Sequence, residues 1–95
     1  MSATMFARHE VTNYDRWKSV YDTIAGFRSE MGVIGASVHR DPQNPNIVVV
    51  THKFESMDQA VAFANHENLK AGMKEAGVAG QPEFWFAEDV EYTDN

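Results

Sequence analysis

The sequence contains no cysteine, which excludes disulfide bonds, thiolate metal sites and cysteine nucleophiles. It also lacks an apolar run long enough to span a bilayer, and its N-terminus lacks the basic, apolar and small-residue series of a signal peptide. These absences predict a cytoplasmic protein. Lys and Arg number 8 against 14 Asp and Glu, and the net charge of −6 disfavours nucleic acid and anionic membranes as partners.

The familiar cofactor and enzyme signatures are also missing. The chain has no Gly-x-Gly-x-x-Gly, phosphate-binding loop, His-Glu-x-x-His or Gly-x-Ser-x-Gly motif. It has no His-x-His pair, and no carboxylate stands at ligand spacing beside His39 and His52. We therefore expect no flavin, nicotinamide or metal cofactor. A length of 95 residues with 43% hydrophobic content predicts one globular domain over residues 1–95.

Hydrophobic periodicity predicts the element order β-α-β-β-α-β. The strands are expected at residues 4–11, 33–41, 46–55 and 83–92, and the helices at 13–31 and 56–76, with an interruption at 65–68. Gly32 is expected to end the first helix, and Ser56 to cap the second. With right-handed crossovers this order gives a ferredoxin-like α+β fold, in which two helices cover one face of a four-stranded antiparallel sheet.

The strand at 46–55 is apolar on both faces. Ile47 and Val49 point one way, and Val48 and Val50 the other, on the face that continues through His52 and Phe54. Helices can cover only one side, so we assign Val33, Val48, Val50 and Phe54 to a bare face that needs a partner. The sequence thus predicts a homodimer whose two sheets enclose a cavity, a dimeric α/β barrel.

Four motifs support a family resemblance. They are Tyr14-Asp-Arg-Trp17-Lys, Asp41-Pro, Val48-Val-Val-Thr-His-Lys-Phe-Glu-Ser56 and Gly77-Val-Ala-Gly80-Gln-Pro82. With the element order, they make the chain resemble the antibiotic-biosynthesis-monooxygenase-like branch of the dimeric α+β barrel superfamily over nearly its whole length. That superfamily includes cofactor-free oxygenases that turn aromatic polyketides into quinones, haem-degrading oxygenases, polyketide cyclases, lactone isomerases and stress-linked proteins. Fold does not choose between these functions.

The resemblance also bears on individual positions. Quinone-forming members carry an Asn and, four residues later, a Trp on the third strand, where this chain has Val50 and Phe54. The match implies that Val50, His52 and Phe54 line the cavity, without the polar groups of those enzymes. Haem-degrading members carry an axial His where this chain has residues 72–73, so haem degradation is disfavoured, with His66 as the one nearby substitute.

Three residues are the candidate catalytic groups. His52 interrupts an apolar strand and could act as a general base, or it could be a structural histidine hydrogen-bonded to a neighbour. His39 would share the face of His52 if Asp41 and Asn46 pair in the hairpin, whereas a one-residue slip would send it to the other face. Tyr14, at a helix start, could donate a hydrogen bond to a substrate oxygen.

Five residues are the candidate substrate-binding groups: Val50, Phe54, Val33, His9 and Trp85. His9 could equally tie its strand to the helix, and Trp85 could stack on a flat ligand or pack between subunits. Together with the resemblance, these residues suggest a cofactor-independent monooxygenase or a cyclase/isomerase acting on a flat, largely apolar substrate. The alternative is a non-catalytic ligand-binding or stress-related module. A catalytic histidine would couple rate or binding to a titration between about pH 5 and 8.

Overall fold

A computed structural model describes all 95 residues and confirms the ferredoxin-like α+β fold, with both predicted helices divided in two. The strands are β1 (Ala3–Val11), β2 (Gly35–Arg40), β3 (Ile47–Phe54) and β4 (Val78–Glu88). The helices are α1 (Tyr14–Thr23), α2 (Ala25–Glu30), α3 (Met57–Ala64) and α4 (Glu67–Glu75). The strands form one antiparallel sheet in the order β2-β3-β1-β4. No helix is both long and apolar enough to cross a membrane.

The helices begin where side chains satisfy their first backbone N–H groups. Asn13 Oδ1 accepts from the N–H of Arg16 at 3.0 Å, and Ser56 Oγ accepts from the N–H of Gln59 at 3.2 Å. The first helix was predicted to be continuous, but it breaks at Ile24, which has φ −100° and ψ 18°. Thr23 bonds back to the carbonyl of Val20 at the same point, a side-chain hydrogen bond that competes with the helical ladder.

The last strand runs over Val78–Glu88 rather than residues 83–92. It contains a bulge, where the pairing with β1 jumps from Arg8–Glu83 to Glu10–Ala79, and the strand continues beyond the bulge to Val78. Pro82 lies inside this bulge, and β4 is an edge strand, so the missing N–H of Pro82 breaks no regular ladder.

The two faces of the sheet are the reverse of the predicted assignment. Val48, Val50, His52 and Phe54 of β3 are all buried on the face that the helices cover, so their assignment to the bare face was wrong. The pairing register agrees with this placement. Val50 lies opposite Ala7, and Ala7 belongs to the set of alternate β1 residues that is buried under the helices. Val33 precedes β2 and packs, partly buried, against the same core.

The bare face still carries apolar side chains, but they belong to the other set. Ile47 and Val49 alternate with the buried residues of β3 and are half-buried. Beside them, the rings of Phe6 and Trp85 stack with centroids 5.4 Å apart and planes within 2°. The prediction that β3 is apolar on both faces is therefore confirmed, with the faces exchanged.

Candidate functional site

A cavity of about 40 Å³ lies between the sheet and the helices of a single chain. The cavity predicted between two sheets is a different one; it requires a second subunit and stays a prediction. Twelve of the 16 residues that line the cavity of the single chain are hydrophobic. Ala7 stands opposite Val50 on its floor, and the short alanine side chain leaves room that a larger residue would fill. Pockets for drug-sized ligands measure roughly 300–1,000 Å³, so a ring system can enter only if lining side chains move.

Two histidines face this cavity from the sheet, His9 from β1 and His52 from β3. They are 5% and 3% exposed, yet none of their four ring nitrogens has a hydrogen-bond partner. Leaving a buried polar group unpaired costs about 1–3 kcal/mol, so a hydrogen-bonding molecule inside the cavity, whether water or ligand, would stabilise these nitrogens. The alternatives in which His52 bonds to a neighbour and His9 ties strand to helix by hydrogen bonds are both wrong.

Aromatic rings surround both imidazoles instead. His9 lies 5.7 Å from the Trp17 ring centroid, and His52 lies 5.2 Å from that of Phe63 and 6.2 Å from that of Tyr21. These contacts hold the imidazoles in place without occupying their nitrogens. Each histidine can therefore accept or donate a hydrogen bond to a molecule inside the cavity.

Burial determines the charge of both histidines. It lowers the pKa of His9 from 6.5 to about 4. Burial likewise lowers the pKa of His52 to about 4, with smaller contributions from the Arg28 guanidinium and from His9. Both imidazoles are consequently neutral at pH 7. For the unliganded protein this moves the expected titration window from pH 5–8 down to about pH 4.

The two histidines lie on neighbouring strands, four residue pairs apart along the sheet. His52 lies opposite Met5, and His9 lies opposite Val48. Their rings are close enough for His9 to contribute to the lowered pKa of His52. No group of three or more His, Cys, Asp or Glu side chains in the chain could hold a metal ion.

Arg28 is a lining residue that the sequence analysis missed. Its Cζ lies 3.8 Å from the centroid of the Tyr21 ring, and its Nη1 donates to the Tyr21 carbonyl at 2.6 Å. Tyr21 also lines the cavity and was not among the candidates; burial raises the pKa of its hydroxyl, which stays protonated. The sequence feature that could have identified Arg28 is its spacing. Arg28 lies seven residues after Tyr21 and four after Ile24, which places it on the same apolar stripe.

Two of the three candidate catalytic residues lie away from the cavity. His39 is exposed on the bare face opposite Val49, and its Nε2 lies 2.9 Å from Ser37 Oγ. The register places it one residue out of phase with His52, which is the slip considered above. Tyr14 packs beside Trp17, with the Arg40 guanidinium 4.3 Å above its ring, and it does not line the cavity.

Among the candidate binding residues, the structure places only Val50 and His9 at the cavity. Phe54 is fully buried against Phe63, with ring centroids 5.5 Å apart, and Val33 belongs to the core margin. Trp85 lies on the bare face and is 43% exposed. His66 does not line the cavity, because its Nδ1 caps α4 by accepting from the N–H of Asn68 at 3.0 Å.

Comparisons with known proteins give a fold and, from one family model, a family. No curated protein sequence matches the chain. Among solved structures it is similar to a candidate antibiotic biosynthesis monooxygenase from Bordetella bronchiseptica, with a TM-score of 0.79, 16% identity, and coverage of 95% of this chain and 98% of the other. It is also similar to SnoaB, a cofactor-independent oxygenase from Streptomyces nogalater, with a TM-score of 0.78, 14% identity, and coverage of 99% and 98%.

A third similar structure is NE2512, a protein of unknown function from Nitrosomonas europaea, with a TM-score of 0.76, 14% identity, and coverage of 99% and 94%. At these identities the likeness concerns the fold alone. The family model is more specific, because it matches residues 5–75, which include most of β1, all four helices, β2, β3 and the two cavity histidines. The chain belongs to the antibiotic biosynthesis monooxygenase family.

Proposed function

We propose that this protein is a cofactor-independent enzyme of monooxygenase or cyclase/isomerase type, with His52 as its base. The observation that carries the proposal is a buried, neutral imidazole whose two nitrogens are both unpaired inside an apolar cavity. The similar structure of SnoaB, a cofactor-independent oxygenase, supports the same reaction class. The substrate would be a flat, largely apolar molecule that carries an acidic phenol or enol.

The chemistry begins with one proton transfer. His52 takes the proton of the phenol or enol and becomes an imidazolium, and the substrate becomes an anion with its charge shared between oxygen and carbon. Dioxygen can accept electrons from this carbanion and form a C–O bond as a peroxide, which takes the proton back from the imidazolium; the hydroperoxide then loses water and leaves a ketone. Alternatively, the anion can cyclise or isomerise. A pKa of about 4 makes the free imidazole a weak base. The substrate anion offsets that weakness, because it stabilises the adjacent imidazolium in a dry cavity.

His52→Ala tests the proposal on a panel of anthrones and naphthols in air-saturated buffer containing a metal chelator. Oxygen uptake and product absorbance report turnover. We expect His52→Ala to lower kcat by about 10²–10⁴, the usual contribution of a positioned base. Added imidazole should restore part of the rate, because it fits the space that the side chain leaves.

His39→Ala is the matched control, because His39 is exposed on the opposite face. It should leave turnover unchanged. Wild-type rates in His52→Ala would remove His52 from the mechanism. The absence of turnover by the wild type on the whole panel would instead favour the non-catalytic ligand-binding module. That second candidate draws its support from the predominance of hydrophobic lining residues.

We also propose that the protein is a homodimer formed through the bare face of the sheet. The stacked pair of Phe6 and Trp85 lies on this face, across β1 and the edge strand β4, and Trp85 leaves 43% of its surface exposed. In the next row of the same face, Arg8 lies between Val49 and Glu83 and pairs with Glu83 at 3.2 Å. Aromatic residues and arginine are enriched in protein interfaces. A second copy buries this face on both subunits at once.

Trp85→Glu is expected to weaken the dimer by about 30-fold or more, since a tryptophan that is a hot spot of an interface contributes about 2 kcal/mol or more. Sedimentation equilibrium at micromolar concentrations measures the effect. Val61→Glu is the control, because Val61 is similarly exposed, at 39%, on α3. A wild-type protein that sediments as a monomer, or equal loss in both variants, would contradict the proposed interface.

A further inference from the structure

We propose that Arg28 makes this cavity a binding site for acids. The ligand carries an oxygen on an sp² carbon, and that oxygen, with a full or developing negative charge, contacts the Arg28 guanidinium. This inference rests on the proposed function and deepens it by naming the substrate class. The ligands in question are flat molecules with a carboxylate, phenolate or enolate oxygen. Neutral molecules of the same shape should bind less tightly.

Arg28 is the only permanently charged residue that lines the cavity. The other lining residues are hydrophobic, apart from the neutral His9 and His52, the protonated Tyr21 and Gly72. None of them is a carboxylate, so no lining residue can neutralise the guanidinium. A cation at the wall of an apolar cavity attracts an anion inside that cavity more strongly than a cation in bulk water does, because less water screens the pair.

No acidic side chain elsewhere in the protein pairs with Arg28 either. The ion pairs within 4 Å are Arg8 with Glu83, and Lys18 with Asp22. A guanidinium usually finds a carboxylate when it is withdrawn from solvent, and Arg28 is half-buried. Its charge is therefore available to a ligand.

The guanidinium is also held in position before any ligand arrives. It lies over the Tyr21 ring, with Cζ 3.8 Å from the ring centroid, and its one hydrogen bond to protein goes from Nη1 to the Tyr21 carbonyl. An arginine has five N–H donors, so several remain for ligand oxygens. A planar fork of donors matches the two oxygens of a carboxylate, or one oxygen in conjugation with a ring.

The position suits the proton transfer proposed above. Tyr21 contacts both Arg28 and His52, so the base and the cation share one region of the cavity. When His52 takes the proton, the negative charge develops on the substrate oxygen, where the guanidinium can stabilise it. Proton and charge balance, because the imidazolium and the substrate anion form together beside a cation that was already present.

Benzoate and benzamide test the inference, since they share a shape and differ in charge. The two tryptophans report their binding separately, because Trp17 lines the cavity and Trp85 lies on the bare face. In ¹⁵N spectra the indole N–H signals are assigned with the Trp85→Phe variant. Benzoate should move the Trp17 signal and leave the Trp85 signal in place, with at least about 10-fold higher affinity than benzamide, as expected of a charge-assisted hydrogen bond.

Arg28→Gln should abolish this preference and bring the two affinities within about 2-fold, while Arg28→Lys should keep part of it. His52→Ala should keep the preference, because the charge of Arg28 is unchanged. Equal affinities in the wild type, a preference that survives in Arg28→Gln, or failure of benzoate to shift Trp17 would each overturn the inference. If benzoate is preferred but no panel substrate turns over, the proposed enzyme fails and the acid-binding site stands.

Discussion

Lowering the pH from 7 to 4 is expected to reduce the free energy of unfolding by up to about 3 kcal/mol for each of His9 and His52. Burial lowers the pKa of both imidazoles from 6.5 in the unfolded chain to about 4 in the folded protein. Between these values the unfolded state binds more protons than the folded state. Stability therefore rises with pH across this window, is complete above about pH 6.5, and is lost as the pH falls towards 4.

Urea denaturation at pH 7, 5.5 and 4.5 measures this loss in the wild type and in His9→Leu and His52→Leu. In each variant the free energy of unfolding should depend less steeply on pH, by the contribution of the substituted histidine, because leucine takes up no proton. At pH 7 each should be as stable as the wild type or more so, since the unpaired ring nitrogens disappear. Because both histidines line one cavity and His9 contributes to the lowered pKa of His52, the double variant measures the coupling between them.

His39→Leu is the control, since His39 is exposed and lies outside the cavity. Acidic groups add their own loss, notably Asp89, whose pKa is lowered by hydrogen bonds from Thr4 and Ser2. That loss is common to all variants and cancels in the comparison. If the double variant of His9 and His52 still loses as much stability as the wild type, the two histidines are not the buried neutral groups described here.

The fold could be predicted from the sequence because its signals are local. The strand periodicity, the caps at Asn13 and Ser56, and the positive φ of 96° at Gly32 each act within a few residues. The break at Ile24 could not be read in this way. It depends on how the helix packs and on one threonine side chain, and neither alters the hydrophobic pattern.

The orientation of the sheet was the main error, and its cause is physical. A strand that is apolar on both faces carries no local information about which face meets the helices. The deciding residues were in β1, where Ala7 and His9 alternate with Phe6 and Arg8. A face with small residues suits close helix packing, whereas Phe6 could equally have been core. The polar His9 made the buried face look less buried than it is.

The site was predicted in part for a related reason. His52 was selected because an imidazole in an apolar strand is unusual, and the structure places it in the cavity. Tyr21 and Arg28 were not selected, because an amphipathic stripe is ordinarily core and an arginine beside it is ordinarily solvated. Only three-dimensional packing brings the Arg28 guanidinium over the Tyr21 ring and into the cavity wall. The lateral position of a long side chain is not encoded in spacing alone.

Phe63→Ala is expected to lower the free energy of unfolding by about 3–5 kcal/mol. Phe63 is fully buried, and its ring contacts those of Phe54, Phe27 and His52 at centroid distances of 5.2–5.7 Å. It also forms part of the cavity wall, so its removal joins the new void to the existing one. Urea denaturation at pH 7 measures the loss. Phe63→Leu, which keeps most of the volume, should lose much less.

Phe63→Ala should also change the titration of His52, because the enlarged cavity can admit water next to its imidazole. Hydration restores the charged form of a buried imidazole, so the pKa of His52 should move back towards 6.5 in Phe63→Ala. The contribution of His52 to acid instability should then shrink, even though the protein is less stable at pH 7. Benzene at saturating concentration should reverse both effects by filling the apolar void, which stabilises the folded state by mass action. An unchanged pH dependence in Phe63→Ala would mean that burial by this ring is not what keeps His52 neutral.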